Sequence, residues 1–468
     1  MDLLRTKSVD ALTAVNLHSG LKKTLGSKDL VLLGIGCIVG TGIFVLTGVA
    51  AAKYAGPGVM LSFLISAVTC ALAAFAYAEL ASIVPVSGSA YTYAYASLGE
   101  FIAFVVGWDL ILEYTVAASA VASGWSGYFT GLLKSGGIDL PVSLTKVPMD
   151  GGIINLPAVI ITVLLSVFLL RGTKESAMLN RILVVIKLAV IALFLFLAAP
   201  HVQAANWTPF MPFGFGGVAA GASIVFFAYI GFDAVATSAE ECRNPKKDLP
   251  VGIVGSLVVC ALLYFVVAGV LTGAVPYTEL NNAEPVAYAL RVLGYNAGAA
   301  IVAVGAICGI TTVLLVLLYG QARIFYALSR DGMIPSSICK VHPKYQTPYI
   351  VTIIGAIVVA CIAAFAPIGI IAEMANIGTL MAFLIASIGV WVLRRRQPEL
   401  HRGFRCPAVN IVAPLSVLCC AYLIYHLPIE TWIRFFVWFA VGLCVYFSYS
   451  YHHSKINEDM PEEVHTVV

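Results

Sequence analysis

The chain is short of charge. Only 11% of its 468 residues are Asp, Glu, Lys or Arg, whereas 60% are hydrophobic; ordinary soluble domains carry about 25% charged residues. A mean hydropathy of +0.95 over the whole chain cannot be hidden in a water-soluble globule, which must clothe itself in polar side chains. The balance of 27 basic against 24 acidic residues leaves a net charge of +3, too small and too scattered for a nucleic-acid binder. The eleven cysteines lie in apolar runs or in segments assigned below to the cytosol. None falls in an outer loop, so no external disulfide framework is implied. No CxxC pair or Cys/His cluster has metal-ligand spacing, and nothing calls for a metal or a cofactor. The segment before Leu30 lacks the short apolar core and small-residue cleavage site of a secretory signal, so the first span itself directs insertion. No histidine lies in the middle of an apolar run, which deprives a membrane-embedded hydrolase of its base.

What the chain does have is long apolar runs. A membrane-crossing helix needs about 20 mostly apolar residues. Twelve stretches qualify: Leu30–Ala50, Gly58–Val84, Phe101–Gly131, Ile153–Leu170, Met178–Ala199, Gly217–Ala239, Val251–Ala274, Ala299–Gly320, Tyr349–Phe365, Ile371–Leu393, Ile411–Leu427 and Trp432–Tyr449. Spans four, nine and eleven are short. The runs are continuous rather than alternating with period two, which excludes a strand barrel. The reading is an all-α membrane protein.

The charges between the spans test the count. With the N-terminus in the cytosol, 21 of the 27 Lys and Arg residues fall on the cytosolic side or at cytosolic span ends and five outside or at outer span ends, and Lys187 alone lies deep within a span. A wrong number of spans would scramble that alternation, so twelve spans with both ends cytosolic is the expected topology. The remaining polar sequence is too short for a soluble catalytic or output domain, and the acidic tail from Asn457 reads as disordered. No continuous polar stripe suggests a channel.

Two spans are interrupted. Span one reads GIGCIVGTGIF, with Gly34, Gly36, Gly40 and Gly42 close together, and span six reads FFAYIGFDAV with Gly231 and Asp233 at mid-depth. Each Gly costs a helix interior about 1 kcal/mol relative to Ala. Gly36 and Gly40, four apart, are equally well explained as a close-packing seam. Gly40-Thr41-Gly42 reads better as unwinding. The two interruptions lie about 190 residues apart, each in the first helix of a five-helix half; paired breaks of this kind point to a transporter binding site. Unwound backbone in hydrocarbon needs partners for its N–H and C=O groups, and a zwitterionic amino acid supplies them. Its carboxylate suits the positive end of the half-helix after the first break. Its ammonium suits carbonyls near Phe227, Ala228 and Ile230.

The runs GIGCIVGTGIFVLTG, FFAYIGFDAVATSAEECRNPKKDLP and YGQARIFYALSRDGMIP resemble the amino acid–polyamine–organocation superfamily, and most closely bacterial members of its cationic amino acid transporter branch. The resemblance extends from about Lys28 through the twelfth span. It implies an inverted repeat of five plus five helices (30–199 and 216–393), peripheral helices at 411–449, and cytosolic ends at 1–29 and 450–468. It also implies alternating access around an amino acid held at mid-membrane in a bacterial cytoplasmic membrane. Carried over by motif, the amides of Thr41 and Gly42 would hold the carboxylate. The carbonyls of Ile38, Phe227, Ala228 and Ile230 would hold the amine, and the Phe227 ring would gate the site.

Lys187 lies about 13 Å into span five at 1.5 Å per residue. Either it snorkels to the cytosolic interface, or its ammonium occupies the place where sodium-coupled relatives of the fold bind a cation, between spans one and eight. Thr311 or Thr312 would be the other partner there. The resemblance implies coupling of transport to protons, and a buried lysine can release one. Glu113, deep in span three, reads equally as a proton carrier, a ligand for a substrate side chain, or a structural glutamate. Asp233 either orients the unwound loop or accepts the ammonium. Glu79 and Glu373 read as helix-packing acids, and Tyr91, Tyr93 and Tyr95 as an interfacial aromatic belt. By resemblance Leu317 lies beside the substrate side chain, where its bulk would crowd an arginine. The expected substrates are therefore small or mid-sized neutral amino acids such as alanine, with cationic ones as the alternative.

Overall fold

A computed structural model describes residues 5–7, 25–84, 89–171, 177–342, 345 and 347–455. Among these residues there is no strand, only two isolated bridges, Leu25 with Cys242 and Val341 with Pro348. Helix is the expected outcome of long apolar runs, because a helix satisfies its own backbone where no water can.

The principal helices are α1 (Ser27–Ile38), α2 (Val59–Ile83), α3 (Ser89–Ser97), α4 (Glu100–Ser135), α5 (Leu156–Leu170), α6 (Ala177–Ala198), α7 (Gly214–Val225), α8 (Pro245–Ala274), α9 (Pro285–Val292), α10 (Asn296–Arg330), α11 (Tyr349–Phe365), α12 (Ile368–Arg396), α13 (Val409–Tyr425) and α14 (Ile429–Val445). Among the described residues, eight helical segments are long and apolar enough to cross a membrane, and three shorter apolar helices, α5, α11 and α13, fall on spans four, nine and eleven. One of the eight, Gly42–Ile83, is bent at Gly56-Pro57-Gly58, where Gly56 has φ +60°.

Helix α4 lies at the centre, packed against α10, α12, α11 and α5, while α8 packs on α1 and α2. Large apolar side chains face outward on the surrounding helices, among them Leu164, Phe196, Leu262, Ile357 and Val437. That surface suits hydrocarbon rather than water. All eleven cysteines are free thiols.

The tyrosines of α3 depart from the expectation. Tyr91, Tyr93 and Tyr95 are buried instead of forming an interfacial belt. Tyr77 meets Tyr93 edge-on, Tyr91 meets Tyr95 likewise, and the Tyr91 hydroxyl donates to Asp331 Oδ2 at 2.7 Å. A nine-residue helix wedged among longer ones has no face left for a membrane interface. Lys7 and Arg5 reach the same end of the bundle, pairing with Asp331 at 3.1 Å and Glu100 at 3.0 Å.

Glu79 on α2 is fully buried and forms an ionic hub. Its Oε1 accepts from Arg394 Nε at 3.0 Å and Arg402 Nε at 2.9 Å. Its Oε2 accepts from the Arg394 guanidinium and from the Cys406 amide. Arg402 in turn donates to the carbonyls of Pro398, Leu400 and Gln397. The packing role read for Glu79 thus takes the form of a clamp joining α2, α12 and the segment after α12.

Candidate functional site

The helix of span one stops at Ile38. Its last rung is Val39 N–H donating to Ile35 O at 2.9 Å, and Val39 turns extended at ψ 100°. Helical winding resumes as a wide turn at Gly42–Leu46. Span six breaks in the same fashion. Helix α7 tightens into a 3-10 turn at Phe226–Tyr229, Ile230 is extended at ψ 133°, and Gly231 adopts φ +117°, a conformation that favours glycine. A second 3-10 stretch starts at Asp233. The two breaks touch. A Cβ on Gly42 would fall 2.3 Å from Ala228 Cα, and one on Gly231 would fall 3.0 Å from Cys37 O.

Between them lies a cavity of about 30 Å³, bordered by Cys37, Ile38, Gly40, Thr41, Gly42, Glu113, Tyr114, Ala117, Val121, Phe227, Ile230, Gly231, Asp233, Ala234, Val313, Val316 and Leu317. That space suffices for water; a larger guest requires the walls to part. Ile38, Gly40, Thr41, Gly42, Phe227, Ile230, Leu317, Glu113 and Asp233 therefore meet at one place. Ala228 stands behind the wall with its backbone against Gly42.

Tyr264 on α8, which sequence reasoning missed, ties the breaks together. Its hydroxyl lies 2.9 Å from Ile38 O and 3.0 Å from Ala228 O. Two of the four carbonyls suggested for the substrate amine thus share the one proton of this hydroxyl. A tyrosine within an otherwise apolar run was the only sequence signal for it. Tyr128 on α4 likewise donates to Phe44 O at 2.8 Å and holds the rewound part of span one. The Phe227 carbonyl accepts from Ile230 N–H at 3.2 Å. The Thr41 hydroxyl is buried without a hydrogen-bond partner among the described residues, and its side chain is pressed against Gly124 of α4.

Lys187 is fully buried, and its Nζ donates to Gly36 O at 2.5 Å. Gly36 O is the first carbonyl past the last rung of α1, so the break itself exposes the acceptor. The lysine stem packs on Gly309 of α10, which places the side chain between spans one and eight. Thr311 Oγ1 accepts from Trp125 Nε1 at 2.9 Å, while Thr312 Oγ1 donates to Gly309 O at 2.8 Å.

Among the described residues, the carboxylates at the cavity have no such cationic company. There Glu113 Oε2 has no hydrogen-bond partner, and neither has either oxygen of Asp109, one helical turn away on α4. Both pack toward α12 at Gly378, where a Cβ would meet Asp109 Oδ1 at 2.9 Å. Asp233 is buried at the start of its 3-10 stretch and faces backbone amides of the break, including those of Gly231 and Ala234. Asp109 was another omission of the sequence reading. Its four-residue spacing from Glu113 was the available clue.

Backbone broken in two adjacent helices around a small buried cavity is the architecture of a membrane carrier, and comparison with known proteins gives the family. The amino acid permease family model matches residues 25–448, so the chain belongs to that family, within the amino acid–polyamine–organocation superfamily. It is similar to the methylthioribose transporter of Bacillus subtilis, at 49% identity covering 97% of this chain and 99% of the relative. It is equally similar to the branched-chain amino acid permease BcaP of the same organism, at 49% with the same coverage. It is 35% identical to cationic amino acid transporter 9, chloroplastic, of Arabidopsis thaliana, over 96% of this chain and 93% of that one. The protein is a membrane permease rather than an enzyme.

Proposed function

We propose that the protein is a secondary active transporter that brings neutral L-amino acids across the bacterial cytoplasmic membrane by alternating access, in symport with protons. The topology in this reading is twelve spans with both ends cytosolic, with 30–199 and 216–393 as the inverted repeats. One observation carries it: the cavity lies where two helices lose their winding together, so that backbone dipoles are available to both ends of a zwitterion. The amides of Thr41 and Gly42 would take the carboxylate. The carbonyls of Phe227 and Ile230 would take the amine, with those of Ile38 and Ala228 contributing once Tyr264 shifts. Val121, Val313, Val316 and Leu317 make the side-chain end apolar, which favours substrates from alanine up to the branched-chain amino acids. The similarity to a branched-chain permease agrees with that range.

Lys187 is the proposed coupling group. Its ammonium holds Gly36 O beside the first break, and loss of its proton would loosen that hold and free α1 to move. A cationic substrate is the second reading, favoured by Glu113 at the cavity wall. Counterflow of labelled alanine and leucine in proteoliposomes, with arginine and methylthioribose as competitors and with or without a pH gradient, separates these readings. Competition by neutral amino acids and stimulation by an inward proton gradient are expected. Competition by arginine alone, or by methylthioribose alone, would overturn the substrate, and indifference to the gradient together with concentrative uptake by Lys187→Ala would overturn the coupling role.

A further inference from the structure

A second concavity lies away from the central site, where α2 and α8 meet the segment after α12. Its volume is about 570 Å³, and its walls include Phe75, Val251, Val254 and Phe404, with Lys246 and Lys247 at its mouth. Phe75 and Phe404 stack with ring centroids 6.4 Å apart and planes 12° apart, which gives the trough a flat apolar floor. Gly403 brings its backbone close to Lys246; a Cβ there would fall 2.5 Å from Lys246 O.

Both lysines are exposed, and neither pairs with a carboxylate among the described residues. The nearest acid in sequence, Asp248, accepts from the Asn244 amide at 3.2 Å. The lysines occupy the first turn of a 30-residue helix, the end at which the helix dipole favours anions and gains nothing from cations. Fold stability does not account for them. From the trough an apolar stripe continues up α8 through Val251, Val258 and Leu262, which are 52%, 51% and 66% exposed. The rise from Val251 to Leu262 is about 16 Å at 1.5 Å per residue, close to the ~15 Å hydrocarbon depth of one leaflet.

We infer that this trough is a binding site for an anionic phospholipid. The headgroup phosphate sits between Lys246 and Lys247, and one acyl chain lies on Phe75, Val251 and Val254 and follows the stripe. A zwitterionic headgroup would add an ammonium beside two unpaired lysines, so phosphatidylglycerol is bound in preference to phosphatidylcholine. Free phosphate matches the lysines but leaves the trough unfilled.

The test uses the full-length purified protein in neutral detergent, titrated with phosphatidylglycerol, phosphatidylcholine or inorganic phosphate. Bound lipid is read by native mass spectrometry, and the unfolding midpoint is followed in parallel. Phosphatidylglycerol is retained and raises the midpoint, and the other two do neither. The double variant Lys246→Gln/Lys247→Gln binds phosphatidylglycerol roughly 30-fold more weakly, from about fivefold per lysine, while its amino acid counterflow in phosphatidylcholine vesicles is unchanged. Phe404→Ala weakens long-chain phosphatidylglycerol more than a short-chain form. Undiminished phosphatidylglycerol binding by the double variant overturns the site. So does equal protection by inorganic phosphate, which would mark a soluble-anion site, or a dimer that forms in place of lipid retention.

Discussion

Glu79 and Glu113 are both buried glutamates within the bundle, and their surroundings are opposite. Glu79 is enclosed by two guanidinium groups and a backbone amide, with each oxygen engaged twice. Glu113 keeps an oxygen without a partner and faces the cavity between the broken helices. A buried charge that is fully paired fixes structure. A buried acid left partly unpaired costs stability and is retained where a ligand or proton can use it. The same contrast separates the charged end of the bundle, where Arg5, Lys7, Glu100 and Asp331 are paired, from the middle of α4, where neither Asp109 beside the pocket nor Glu113 on its wall has a cationic partner among the described residues.

The largest effect expected from this contrast is on stability. Glu79→Ala strands two arginines and should cost about 3–5 kcal/mol, seen as a lowered unfolding midpoint in detergent, while the folded fraction keeps its substrate preference. Glu113→Gln should do the reverse, changing stability by less than about 1 kcal/mol but reducing counterflow by roughly tenfold, about 1.4 kcal/mol. If Glu113→Gln unfolds the protein and Glu79→Ala leaves it intact, the two roles are exchanged. Leu317→Ser, which removes bulk from the cavity wall, should improve competition by larger amino acids by up to roughly tenfold; unchanged competition would remove Leu317 from the pocket. The smallest effect concerns Cys406. Burial, and secondarily the Glu79 carboxylate, push its thiol up to about 11, so alkylation at neutral pH should be slow. It should accelerate severalfold in Glu79→Gln, where the carboxylate is gone and the hub is loosened.

Much of the helical framework was legible because the sequence repeats one simple requirement, a long run without charge. The interruptions were legible because glycine and an acid at mid-depth are expensive and therefore informative: Gly40, Gly42, Gly231 and Asp233 all border the cavity or its break. What escaped depends on contacts between distant segments. Tyr264 reaches both breaks from a third helix, and Glu79 meets arginines more than 300 residues away. The α3 tyrosines were misread because aromatic spacing looks alike at an interface and in a packed core, and only the neighbouring helices decide between them. Asp109 escaped because its approach to Gly378 of α12 is set by helix packing rather than by its own stretch of sequence.

Equilibrium binding of labelled alanine and leucine to purified wild type and to Gly42→Ala, checked for folding by gel filtration, tests binding at the two breaks most directly. A methyl group on Gly42 points into the Ala228 backbone at 2.3 Å, so a substrate held by unwound backbone predicts saturable binding to the wild type and none to a folded Gly42→Ala. Wild-type affinity in that variant would contradict it.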